Sequence, residues 1–259
     1  MKGLALFSSL VFLLFSLPGS GEEEIRLFLA DGKILRTSAV KAGKNGSLLF
    51  YHDKAKRFVL IPKHLLRKAE IPKGKELKKA DDLFRKKEYG KSALLYKACL
   101  EKMRGLPPWE IYSALHAARA FLLAGEKEEA LKILESVPAA KEAPFTEETP
   151  EELYEVLLLS AELYCGKGEK EKAYPLLEKL VSCPKDSCAS QALLLKADTL
   201  FSEGKFRSSF DAYFLHTILF PASPRQERAK AGCKKALEKL QDPRAKLFAP
   251  PAKSASGAR

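Results

Sequence analysis

Tryptophan occurs once, at Trp109, and histidine four times, at His52, His64, His116 and His216. The histidines share no metal-ligand spacing, and no glutamate pairs with two of them as a zinc protease needs. Glycine marks turns and never forms a phosphate-cradling loop, and the Gly-x-Ser-x-Gly elbow of hydrolases is missing. These absences leave no constellation for bond chemistry. The chain therefore reads as a non-enzymatic protein with no catalytic residue, no metal site and no cofactor. Long apolar runs are equally scarce. The one such run, Gly3–Leu17, is 15 residues, which as a helix spans about 22 Å and falls short of a ~30 Å hydrocarbon core.

That run follows Met1-Lys2 and precedes Pro18-Gly-Ser-Gly21 and three glutamates, the layout of a secretory signal peptide. Cleavage is expected near Gly21, giving an exported, periplasmic or extracellular protein with no membrane span. No cysteine follows the run, so a lipid-anchored lipoprotein is excluded. Acidic residues are scarce in the N-terminal third. Between Glu24 and Lys73 there are 12 basic and 4 acidic side chains, between Gly74 and Arg104 there are 10 and 5, and from Gly105 onward 22 of each. The net charge of +12 thus belongs to the front of the chain.

Cysteine is used five times. Cys99, Cys165 and Cys233 fall on predicted helices, as small buried apolar residues. Cys183 and Cys188 share a loop and, in an oxidising compartment, are expected to form a disulfide. Zinc is disfavoured, because two thiols with no nearby histidine supply half a site.

What the sequence does contain begins with short strands. Ile25–Ala30 alternates up to the Asp31-Gly32 turn, and Ile34–Val40, Leu48–His52 and Arg57–Ile61 follow. Pro62–Leu66 predicts a single helical turn and Ala69–Ile71 a closing strand. Five short strands in about fifty residues suggest a small bent sheet or barrel. The order of strands and turns at 24–71 resembles Sm-like and SH3-like small barrels. Lys54, Lys56 and Arg57 at one turn, with Lys63, Arg67 and Lys68 at another, predict an anion patch on a shared rim. Anionic lipid or glycan suits that patch. Nucleic acid is disfavoured, because export separates the protein from it and no aromatic–arginine stacking cluster stands out.

Behind the β segment a phrase recurs four times. Ala118, Phe121, Gly125 and Ala130 stand at spacings matched by Ala161, Tyr164, Gly168 and Ala173. Looser copies are Ala80/Leu83/Lys87/Ser92 and Ala197/Leu200/Gly204/Ser209, and the anchor alanines are 38, 43 and 36 residues apart. This period means stacked units. The residues resemble the tetratricopeptide repeat (TPR), a helix–turn–helix unit in which small residues let paired helices approach and glycine ends the first helix. The large aromatic of the family's fourth helix position is replaced by Glu76, Ala114, Leu157 and Leu193. Pro138–Thr149 is an insertion that accounts for the 43-residue interval, and Thr149-Pro150-Glu151-Glu152 reads as a capping box. Trp109 reads as a packing residue and His216 as a core or rim histidine.

The whole predicts a mainly α protein: a right-handed α-solenoid of about four TPR-like units at 74–241, closed by a helix at 224–241. A five-stranded barrel-like domain (22–73) precedes it and a disordered tail (242–259) follows. The resemblance implies a concave groove lined by first helices that takes a protein or peptide. Its candidate residues are Phe84, Tyr112, Arg119, Leu122, Glu162, Asp198 and Phe201, with Asp81, Leu115, Glu155, Leu158, Gln191 and Leu194 beside them. Two rival readings are an anion or nucleic-acid binder led by the β domain, and an accessory that positions an envelope enzyme.

Overall fold

The computed structural model describes residues 24–44, 47–106, 109–137, 145 and 149–248. The signal-peptide segment, most of the 138–149 insertion and residues 249–259 lie outside the described residues. The chain divides into two compact units, residues 1–79 with 99–110, and residues 80–98 with 111–259.

The first unit carries six strands: β1 (Ile25–Leu29), β2 (Ile34–Thr37), β3 (Val40–Ala42), β4 (Leu48–His52), β5 (Arg57–Ile61) and β6 (Leu66–Glu70). They form two three-stranded antiparallel sheets, β2-β1-β6 and β3-β4-β5, and no closed barrel, where a five-stranded barrel-like domain was expected. The predicted strand 34–40 breaks at Thr37, whose hydroxyl donates to Tyr51 O at 2.8 Å with Ala39 O also 3.0 Å away. These side-chain bonds compete with the ladder and turn the chain out of the first sheet into the second. The turn at Asp31-Gly32 forms as expected. Gly32 takes a φ of +83°, and Leu29 N–H reaches Lys33 O at 2.8 Å. Ile25, Leu27, Leu48, Phe50, Ile61 and Leu106 make the core. Full burial of each such side chain contributes about 1.5–3 kcal/mol. Trp109 is a packing residue here, donating from Nε1 to Ile71 O at 2.7 Å.

The helices are α1 (Lys75–Arg85), α2 (Tyr89–Lys102), α3 (Trp109–Leu123), α4 (Lys127–Glu135), α5 (Glu151–Lys167), α6 (Lys170–Val181), α7 (Asp186–Ser202), α8 (Phe206–Leu219) and α9 (Gln226–Lys239). All four copies of the repeat close their first helix by one device. The residue eight beyond the anchor alanine donates its N–H to the carbonyl three beyond it: Glu88→Leu83, Glu126→Phe121, Glu169→Tyr164 and Lys205→Leu200, at 2.9, 2.8, 2.9 and 3.0 Å. The residue just before that donor is left-handed, at φ +62° for Lys87 and +87°, +77° and +75° for Gly125, Gly168 and Gly204. This is the six-to-one bond of a Schellman cap. The looser first copy keeps it and accepts the strain of a lysine at positive φ.

Small anchors at Ala80, Ala118, Ala161 and Ala197 are all fully buried, as are Ser92, Ala130, Ala173 and Ser209 opposite them. Pro150 rather than Thr149 takes the N-cap of α5. At α9 the Ser223 hydroxyl accepts the Arg225 N–H at 3.2 Å, which helps start the last helix. The apolar stripe of α9 is Ala229, Cys233, Ala236 and Leu237, whereas Leu240 is 39% exposed and stands outside it. A Cβ on Gly232 would meet the Tyr213 ring at 2.5 Å, so the missing side chain lets Tyr213 lie on α9. The expected disordered tail is corrected for its first residues. Pro243–Phe248 form a 3-10 turn, and the Phe248 ring stands edge-on to Phe210 and Phe214 at 6.2 and 6.3 Å. Two aromatic contacts outweigh a short segment's lack of periodicity.

Candidate functional site

Three successive first helices, α3, α5 and α7, converge on one hollow of about 320 Å³. Leu115 and Arg119 face it from α3, Tyr154, Leu158 and Glu162 from α5, and Cys188 and Gln191 from α7. On α5 the lining residues Glu151, Glu155, Leu158 and Glu162 fall at intervals of four, three and four, one face of a helix. Arg119 pairs across to Glu155, thirty-six residues on, tying the second copy to the third. Glu162 is solvent-accessible but stands in a concave wall. Burial of its carboxylate there raises its pKa above the ordinary glutamate value, and the positive charge of Arg228 opposes the rise.

Of the residues expected in a groove, the structure brings Arg119 and Glu162 together in this hollow, with Leu115, Glu155, Leu158 and Gln191. It separates the others. Tyr112 and Tyr96 both donate their phenols to Asp81 Oδ1, at 2.9 and 2.6 Å. Burial first, and the Asp81 carboxylate second, hold the Tyr96 phenol well above its ordinary range. Phe84 stacks edge-on with Tyr89 and His116. Asp198 accepts the Tyr213 phenol and pairs with Arg228, and Phe201 packs edge-on against Phe206 at 5.2 Å. Leu194 is buried and Leu122 half-buried. All of these residues except Leu122 make contacts with neighbouring helices.

The lining residues Tyr154, Lys185 and Ser187 were not among the sequence candidates. Tyr154 lies on a face that repeat spacing assigns to packing, Lys185 is the N-cap of α7 and Ser187 stands in its first turn, both outside the repeat phrase. Phe145 from the insertion rests on Tyr154 at 4.6 Å between ring centres, with the Lys179 ammonium 4.9 Å from its ring.

Cys183 and Cys188 are both buried and stand as thiols, within reach of one another. Burial, and secondarily Cys183, push the Cys188 thiol up to about 12. His216 is fully buried, with Nε2 2.8 Å from Ser190 Oγ, which in turn lies 3.0 Å from Ser223 Oγ.

The single basic rim expected on the β unit is not what the topology makes. Lys54, Lys56 and Arg57 stand at the start of β5, and Lys63 stands beyond its end. Five residues of strand, about 17 Å, separate them. Lys68 lies in the other sheet and is bound to Glu70 at 2.7 Å, and Arg67 is its neighbour on β6. Among the described residues no group of three or more His, Cys, Asp or Glu side chains could hold a metal ion, and no helix is long and apolar enough to cross a membrane.

No protein-family model matches the chain, and no curated sequence is significantly similar to it. Solved structures with its fold exist. The nearly identical TPR-like repeats of a putative kinesin light chain from Podosopora anserina match with a TM-score of 0.52 at 15% identity, over 67% of this chain and 89% of that one. A point variant of the same protein gives 0.53 at 16% over the same shares. MamA (AMB-1) gives 0.49 at 17%, over 68% and 93%. At such identities the likeness is one of fold: the helical part of this chain is a TPR-like repeat array.

Proposed function

We propose that the helical array is a non-enzymatic interaction scaffold that receives an extended peptide or partner segment in the hollow built by α3, α5 and α7. The observation that carries this reading is the convergence of three first helices on one cavity with an apolar floor and charged walls. Leu115 and Leu158 offer burial to an apolar side chain, while Arg119, Glu155 and Glu162 supply charge and direction. The short apolar run behind Met1-Lys2 supports an exported protein acting in the envelope.

The test is a peptide-array screen of the full chain, repeated with Glu162→Arg and Arg119→Glu. Peptides held by the parent and lost from both variants support the hollow as the binding face. Peptides held equally by all three proteins place recognition elsewhere.

A further inference from the structure

The second sheet of the β unit is apolar on both faces. Strand alternation sends Val40, Leu48, Phe50, Val59 and Ile61 into the core. The registers Lys41↔Leu49↔Leu60 and Tyr51↔Phe58 then place Leu49, Tyr51, Phe58 and Leu60 together on the opposite face. That face is open, with Leu60 54% exposed and Leu49, Tyr51 and Phe58 half-buried. An antiparallel sheet facing water ordinarily alternates to polar residues there. Contiguous exposed apolar surface rimmed by polar groups marks a docking surface.

The charge around it is one-sided. From Ala39 to His64 there are six basic residues and one acidic residue. Lys44 and Lys63 line one hollow with Leu49 and Leu60, and Lys41 lies over the Phe58 ring at 4.5 Å. Lys54, Lys56 and Arg57 stand at the other end of the same hairpin. Lys44, Lys54, Lys56, Arg57 and Lys63 make no ion pair among the described residues. On the first sheet and its turn every cation but Arg67 is paired. Arg26 and Lys68 pair with Glu70, Arg36 with Glu24 and Lys33 with Asp31, at 3.0, 2.7, 3.1 and 2.8 Å. Four of the five cations of the first sheet and its turn are thus paired, whereas Lys44, Lys54, Lys56, Arg57 and Lys63 around the apolar face of the other sheet are not, among the described residues.

We infer that this face of the β3-β4-β5 sheet docks on an anionic phospholipid surface, with Leu49 and Leu60 entering the acyl boundary and Lys44 and Lys63 meeting the phosphates. Apolar burial and cation attraction are the two contributions that hold interfacial proteins on anionic membranes. A single-stranded nucleic acid would need open ring faces for stacking. Here Lys41 covers Phe58, and Tyr51 packs edge-on against it at 5.5 Å. The inference concerns the β unit alone and is independent of the helical hollow.

Co-sedimentation of the full chain with phosphatidylglycerol–phosphatidylcholine vesicles, and with phosphatidylcholine alone, tests it. The parent partitions onto the anionic vesicles and hardly onto the neutral ones. Lys44→Glu with Lys63→Glu lowers partitioning by at least about 25-fold, at roughly fivefold per lysine lost. Leu60→Asp, at an exposed position that costs the fold little, lowers it as well. Ile34→Asp, on the first sheet and 52% exposed, changes nothing. Unaltered partitioning in both the lysine and the leucine variants overturns the assignment. So does equal binding to neutral vesicles. Tighter binding to a single-stranded oligonucleotide, lost in Tyr51→Ala, overturns it in favour of nucleic acid.

Discussion

Ser209 donates its hydroxyl to the carbonyl of Ala197 at 2.9 Å, and Ser92 makes the same bond to Ala80 across the same twelve-residue interval. The outer two copies of the repeat use this serine where the inner two place Ala130 and Ala173. All four side chains are fully buried where paired helices touch. Ser209→Ala is therefore expected to cost no more than about 1 kcal/mol, since the carbonyl keeps its helical partner. Ala130→Leu and Ala173→Leu overpack the contact and are expected to cost about 1–3 kcal/mol each. Urea denaturation of the three variants, with exposed Lys132→Ala as the silent control, measures both. Leucine variants as stable as the parent would mean that the helices are not paired as described.

Asp81 is shared by two phenols, so its removal has an asymmetric cost. Asp81→Leu strands Tyr96, 1% exposed, without its acceptor. A loss of about 1–3 kcal/mol is expected. Asp81→Asn keeps an acceptor oxygen and should lose less. Equal losses in the two variants would show that the hydrogen bonds contribute nothing.

Acid should weaken the array through His216. Burial holds its folded pKa below the ordinary value near 6.5, with the charge of Arg225 adding to the effect and the Gln226 side chain, as an acceptor for the imidazolium, opposing it. The unfolded chain then binds the proton more readily than the folded one, and stability falls as pH drops below about 6.5. The melting temperature should decline between pH 7 and 5 more steeply in the parent than in His216→Gln. Parallel declines would assign the acid response to other groups.

The thiol pair makes a redox prediction. Protein taken from an oxidising compartment should carry a Cys183–Cys188 disulfide, readable as a two-hydrogen mass difference on the peptide that spans the pair. Reduced and folded, Cys188 and Cys233 should resist alkylation at neutral pH, because burial pushes both thiols up to about 12. Two free thiols at 183 and 188 in exported protein would refute the pairing.

The N-terminal segment makes the simplest prediction. Exported protein should begin near Glu22, and N-terminal sequencing that still reads Met1 would remove the argument for export.

The repeat was legible because its signals are local. Alanine at the helix contact, an apolar residue three on, a left-handed residue at seven and a small residue at twelve all act within one helix pair. Those spacings therefore located α1 to α8 even where Lys87 replaces glycine. The hollow was only half legible. Arg119 and Glu162 follow from repeat position, but Lys185 and Ser187 enter from the start of α7, whose placement depends on how α6 hands over to it. Phe84, Tyr112, Asp198 and Phe201 were expected to face a ligand, and the structure gives each of them a contact with a neighbouring helix that repeat position does not reveal.

The β segment shows where sequence alone stops. Alternation by itself determined that Leu48 and Phe50 share one face and Leu49 and Tyr51 the other. Which face would be core, and that Lys63 lies a full strand from Lys54, was decided only by tertiary structure. Pairing register joins residues far apart in the chain, and a period of two is satisfied equally well by either face. The Thr37 hydroxyl, reaching Tyr51 O fourteen residues away, ended the first sheet and set the orientation of the second. No short-range pattern contains a contact of that length.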